Sequence, residues 1–187
     1  MNRKRVGILV FPQVEVLDFC GPFEVVLVAE TAEPVTATGG LRVVPDVTID
    51  ACPPLDVLVV PGGWGTRSEI KNERLLAWIK ARGASVETLT SVCTGSMLLG
   101  QAGLLDGRHA TTHWRSLPWM RESFPTVTVE EKLHVVEDGH VLTSAGISAG
   151  IDMALRVVAR YHGDEIARNT ARHMEYRYVP EDNSRRI

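Results

Sequence analysis

The chain has 187 residues, 44% of them apolar and 23% charged, close to globular averages and unlike a disordered segment. Lys plus Arg number 20 and Asp plus Glu 23, for a net charge of −3, which leaves no electrostatic footprint for nucleic acid or an anionic membrane. No apolar run approaches the ~18 residues of a membrane span, and a chain of this length is expected to form one compact domain without a disulfide or metal staple.

Asn2-Arg3-Lys4-Arg5 resembles the start of a secretory leader, but the apolar run behind it stops at Pro12. That is short of the ~7–15 residues such a leader needs, and no small-residue cleavage site follows. The three cysteines, Cys20, Cys52 and Cys93, lack CxxC spacing. They read as reduced thiols, and a cytoplasmic location is expected.

In chain order, Val6–Phe11 reads as a buried strand and 18–30 as a helix. Val35–Thr38 and Leu41–Val44 are short extended pieces broken by Gly39-Gly40, and Asp56–Val60 is a second core strand stopped by Pro61-Gly62-Gly63. Apolar spacing predicts a helix over 69–82, then a third strand, Val86–Val92, then a helix from Thr94 to about Gly103. Val127–Glu130, Leu133–Val136 and Val141–Ser144 read as strands, with Asp138-Gly139 as a turn. Ile151, Ala154, Leu155 and Val158 follow helical spacing, as do Ile166, Thr170, Met174 and Tyr178, with Gly163-Asp164 between the two helices. The tail from about 179 is polar and expected to be mobile. Near-continuous Val/Ile/Leu strands alternating with helices predict a mostly parallel α/β sheet covered on both faces.

Ligands of such sheets collect at the carboxyl ends of the strands, so the residues just past each core strand are the candidates. Ser91-Val92-Cys93-Thr94-Gly95 carries a cysteine at a strand-to-helix turn with small residues on both flanks, the pattern of a nucleophile elbow. A helix N-terminus there favours a thiolate; the alternative is a buried small hydrophobe. Cys20 and Cys52 read as structural. Gly62-Gly63 can bring a backbone N–H to an oxyanion or simply form a tight turn. Asp18 reads as an acid/base near the thiol or as a helix N-cap, and spacing alone favours the cap. Glu24 reads as a pocket or helix-surface charge. His113, within Ala110-Thr-Thr-His-Trp114, is either a partner that orients or deprotonates the thiol or a structural histidine. Trp64 and Trp114 either wall an apolar pocket or pack in a core or dimer contact. His173-x-Glu175 lies in a helical pattern and reads as helix surface. No HExxH, Walker loop or GxGxxG occurs, so no metal and no cofactor is expected.

Taken together, Ile8-Leu-Val-Phe11, Leu17-Asp18-x-x-Gly21-Pro22-x-Glu24, Val60-Pro-Gly-Gly63, Val92-Cys-Thr-Gly95, Gly103-Leu-Leu-Asp-Gly107, Ala110-Thr-Thr-His-Trp114 and Gly146-Ile-Ser-Ala-Gly-Ile-Asp152 resemble the ThiJ/PfpI family of the class I glutamine amidotransferase-like superfamily. Within it they are most similar to isonitrile hydratases. The resemblance spans nearly the whole chain. It implies a flavodoxin-like three-layer sandwich, a homodimer, a small-molecule substrate, a nucleophilic Cys93, an acidic partner at Asp18 and backbone donors at Gly63 and Thr94. Ile147 and Ser148 fall in the last segment as candidate pocket or support residues.

Aspartate at 18 and threonine at 94 match the hydratase-like branch. The protease-like branch has His after the nucleophile, and the glyoxalase or deglycase branch favours Glu at 18. The Thr-Thr-His-Trp segment is shared with AraC-type regulators, which carry additional helix-turn-helix motifs; for a chain ending at 187 no nucleic-acid partner is expected. The expectation is therefore an isocyanide hydratase, with redox sensing or ligand binding without turnover, or glyoxalase/deglycase activity, as alternatives.

Overall fold

A computed structural model of the chain describes residues 4–14 and 25–185. Asp18, Cys20 and Glu24 lie outside the described residues.

The first strand, β1 (Val6–Leu9), is buried throughout. β2 (Val25–Ala29) runs parallel to it, with Val6 opposite Val25. β3 (Val35–Thr36) and β4 (Arg42–Val43) form a small antiparallel pair, and β5 (Val47–Thr48) returns beside β2. β6 (Val57–Val60) lies on the other side of β1. A short turn of helix, α1 (Thr66–Glu69), then leads to α2 (Glu73–Gly83). β7 (Thr88–Val92) sits beside β6 and enters α3 (Gly95–Gln101). β8 (His109–Ala110), α4 (Leu117–Ser123) and β9 (Thr128–Val129) precede the hairpin of β10 (Val135–Asp138) and β11 (Val141–Ser144). Two helices, α5 (Ala149–His162) and α6 (Asp164–His173), follow.

The main sheet has seven strands in the order β10-β11-β7-β6-β1-β2-β5. Every neighbouring pair is parallel except β10 with β11. All five residues of β7 are buried. Successive strand side chains point to opposite faces, so both faces of the sheet are covered there and the architecture is three-layered. The chain order reverses at β1, which has β2 on one side and β6 on the other. The crevice beyond that reversal is where open α/β sheets hold their ligands. Here Val14 and Gly63 bridge the two sides.

Several boundaries differ from expectation. Residues 25–29, read as the end of a helix, are the strand β2. A run of Val and Leu fits either element when short, and pairing with β1 decides it. The helix expected over 69–82 starts instead at Glu73, because the Asn72 side chain accepts the Leu75 N–H at 3.1 Å and caps it. Met174 and Tyr178 lie beyond α6, since Glu175 adopts φ 53° and turns the chain. Strands β2 and β5 and helix α4 were not anticipated.

The tail also makes contacts that its composition did not suggest. Ser184 bridges Leu133. Asn183 grips the backbone of Val135, accepting from its N–H at 3.0 Å and donating to its carbonyl at 2.7 Å. Arg168 pairs with Glu181. Tyr176 donates to Asp152 at 2.9 Å, and that carboxylate also meets His134 at 3.1 Å. Substituting Asn183→Ala is expected to cost about 1–3 kcal/mol, two hydrogen bonds at ~0.5–1.5 each. Thermal or urea unfolding measures it, and an unchanged midpoint would show that the tail does not brace the sheet edge.

Candidate active site

Cys93 immediately follows β7 and has φ 56°. A non-glycine residue there costs of order 1–3 kcal/mol and persists only where its surroundings over-determine it. Those surroundings are present. The Cys93 N–H is shared between the carbonyls of Ser144 (3.2 Å) and Ala145 (3.1 Å) at the end of β11. Its carbonyl accepts from Ser96 Oγ at 3.1 Å and from Thr112 Oγ1 at 2.9 Å. The residue is 8% exposed.

The close approach of β6 and α3 explains the glycines around it. A Cβ on Gly95 would lie 2.0 Å from the Val60 carbonyl oxygen. One on Gly62 would lie 2.6 Å from the Thr94 nitrogen and 2.8 Å from Cys93 Cβ. Only glycine lets the two strand ends meet at this distance.

A three-residue knot joins them. The Thr94 hydroxyl accepts the Gly63 N–H at 3.1 Å and lies 3.2 Å from the Gly63 carbonyl, to which it donates. Thr66 Oγ1 reaches both the Gly63 carbonyl (2.8 Å) and the Thr94 hydroxyl (3.1 Å). The Gly63 amide, expected to face the thiol, is thus engaged by Thr94. Cys93, Thr94 and Gly63 are nonetheless brought together as one unit. Thr66, Ser96 and Thr112 complete it, and sequence reasoning named none of these three for a role. For Thr112 alone a signal existed, its place in the Thr-Thr-His-Trp segment.

His113 follows Thr112 and packs on Gly146, where an added Cβ would meet the ring at 2.4 Å. Its Nδ1 accepts the Arg115 N–H at 3.3 Å, which leaves the proton of the neutral ring on Nε2. Burial first, then the charges of Arg115, Arg185 and Arg67, holds its titration below the ordinary value. Ile147 has φ 45° and is partly exposed, and Ser148 is exposed at the start of α5.

The two tryptophans are not core residues: Trp64 is 64% exposed and Trp114 46%. The Arg67 guanidinium lies 4.4 Å from the Trp64 ring and 5.7 Å from that of Trp119; Arg115 lies 4.9 Å from Trp114. Cys52, read as structural, is buried, and burial pushes its thiol up. Among the described residues no group of His, Cys, Asp or Glu is placed to hold a metal, and no helix is long and apolar enough to cross a membrane.

A mostly parallel sheet with a cysteine elbow at the end of a central strand defines the class I glutamine amidotransferase-like fold. The DJ-1/PfpI family model matches residues 4–160, and the chain belongs to that family. It is 40% identical over 186 residues to the isonitrile hydratase of Pseudomonas putida, covering 94% of this chain and 80% of that protein. It is 37% identical over 133 residues to the transcriptional regulator GbdR of Pseudomonas aeruginosa, but spans only 36% of that regulator's length. Among solved structures, a ThiJ/PfpI family protein from Pseudomonas syringae superposes with TM-score 0.87 at 34% identity, covering 96% of this chain and 78% of that one. Drosophila melanogaster DJ-1beta, at 19% identity and TM-score 0.83, shares the fold.

Gly95→Ala is expected to destabilise the protein by about 1–3 kcal/mol or more, the cost of overpacking, and a denaturant titration reads it. His113 supplies a pH test. Its folded-state value lies below its unfolded one, so as pH falls below about 6.5 the unfolded chain binds a proton that the folded chain refuses. The associated stability is present above that pH and lost on acidification. Melting of the native protein should therefore fall more between about pH 7.5 and 5.5 than melting of His113→Gln. Equal slopes would remove His113 as the cause.

Proposed function

We propose that this protein is a cysteine-dependent hydratase that adds water to an isocyanide and releases an N-substituted formamide. The observation that carries the reading is the left-handed Cys93 at the carboxyl end of the buried strand β7. Supporting it is the 40% identity to an isonitrile hydratase over nearly the whole chain.

An isocyanide presents an electrophilic terminal carbon and no leaving group. The Cys93 thiolate attacks that carbon, and Asp18 donates a proton to it, giving a thioimidate. Water then adds to the same carbon, one of its protons passing through Asp18 to the nitrogen and the other returning to Asp18 as the carbonyl forms. Breaking the C–S bond returns the thiolate and leaves the formamide. The sum is one isocyanide plus one water. The Thr94 N–H is the donor assigned to developing negative charge. The Gly63 N–H holds the Thr94 hydroxyl and contributes through it. The exposed faces of Trp64 and Trp114 suit an apolar substituent on the isocyanide.

Incubation with cyclohexyl isocyanide is expected to yield N-cyclohexylformamide, detected by NMR. Cys93→Ser should abolish turnover, and Asp18→Asn should lower it by ~10²–10⁴, the usual worth of general acid–base help, without changing the melting temperature. A fully active Cys93→Ala variant would refute the scheme. A second reading follows from the regulator similarity: a ligand-binding module without turnover. Saturable isocyanide binding with no formamide formed would favour it.

A further inference from the structure

The tail around Arg185 lies against Glu131-Lys132 and against the Thr111-Thr112 segment that follows β8. There Arg185 donates through its backbone N–H to the Lys132 carbonyl at 2.7 Å. Its Nε donates to the Glu131 carbonyl at 2.7 Å. Its Nη2 reaches the Thr111 hydroxyl at 2.6 Å and the Thr112 carbonyl at 3.1 Å. All these partners are carbonyl or hydroxyl oxygens, so the guanidinium acts as a fork that fixes backbone geometry.

Thr111 is pinned from its other side as well. Its N–H donates to Thr143 Oγ1 at 2.8 Å and its hydroxyl to the Glu130 carbonyl at 2.7 Å. Thr112, held at its carbonyl by Arg185, spends its own hydroxyl on the Cys93 carbonyl at 2.9 Å. The chain of bonds therefore runs from the tail to the elbow in two steps. A left-handed cysteine keeps its shape only while such bonds hold it.

We infer that Arg185 is a positioning residue for Cys93, acting through Thr112 to hold the elbow closed. This rests on the reading of Cys93 as the nucleophile. It gives the tail a part in the chemistry, although the tail touches no reacting atom. Release of the fork lets Thr112 drift, removes one of the two hydroxyl bonds to the Cys93 carbonyl and leaves Ser96 alone to hold it, so the elbow relaxes toward ordinary backbone angles. The sulfur becomes easier to reach and worse aligned.

The test uses the full chain with Arg185→Met, Thr112→Val and the double variant, with iodoacetamide as probe and labelling read by peptide mass spectrometry. Cys52, buried at 5% exposure, is the internal control. Expected is a rise of about fivefold in Cys93 labelling in each single variant, with Cys52 unchanged. The double variant should show no further rise, because both substitutions break one chain of bonds. Thr112→Ser keeps the hydroxyl and should label like the native protein. In turnover, kcat should fall by a similar factor with KM within about twofold, since alignment rather than binding is lost.

Native-like Cys93 labelling in Arg185→Met overturns the inference. So does a parallel rise at Cys52, which would mean general loosening, or effects that multiply in the double variant. If the labelling pattern appears but no formamide forms in the native protein, the hydratase reading fails and the coupling of Arg185 to Cys93 stands.

Discussion

The structure depends on one backbone conformation, the left-handed turn at Cys93. A β-strand cannot deliver its last side chain out into the crevice and feed a helix directly without such a turn. The turn is unfavourable alone, so it must be clamped from both ends. The N–H is held by the end of β11 and the carbonyl by Ser96 and Thr112. The clamps come from three places, the end of β11, the first turn of α3 and the segment that follows β8. Burial of β7 on both faces fixes the strand from which the turn departs. The site is thus a property of the whole fold rather than of a loop.

A second constraint follows from the first. For α3 to begin two residues after Cys93, its first turn must pass close against the end of β6. Gly95 and Gly62 permit an approach that any side chain would block. The hydroxyls of Thr94 and Thr66 then satisfy the Gly63 peptide group that this approach would otherwise strand. A histidine in place of Thr94 could not reproduce a bond that donates to the carbonyl and accepts from the N–H of the same residue at about 3 Å. Threonine there is a packing choice as much as a chemical one.

Legibility in the sequence divides along the same line. The core strands, the glycine turns and the cysteine elbow could be read from local runs, because burial on two faces and tight turns demand particular residue types over a few positions. Val25–Ala29 could not, since its identity as a strand is set by pairing with β1 rather than by its own period. Arg185 was unreadable for a related reason. Its tail is polar, and polarity says nothing about whether backbone acceptors wait for it at Thr112 and Glu131. Thr66 and Ser96 were hidden because a hydroxyl's partner is a matter of tertiary geometry. Asp18 was suggested by resemblance, where spacing alone favoured a helix cap, and it falls outside the described residues.

On the segments that follow Gly63 and Thr112, exposed indole faces meet cations. Arg67 and Arg115 lie over Trp64 and Trp114, and the same arginines help keep His113 neutral. A neutral imidazole whose Nδ1 already accepts a hydrogen bond carries its proton on Nε2. In that tautomer Nε2 is a donor, which fits an orienting role for His113 better than a deprotonating one. The proposed hydration of an isocyanide, which loses nothing on addition, needs no leaving-group acid from an imidazolium. The proton balance then falls on a carboxyl group, the role for which Asp18 is proposed.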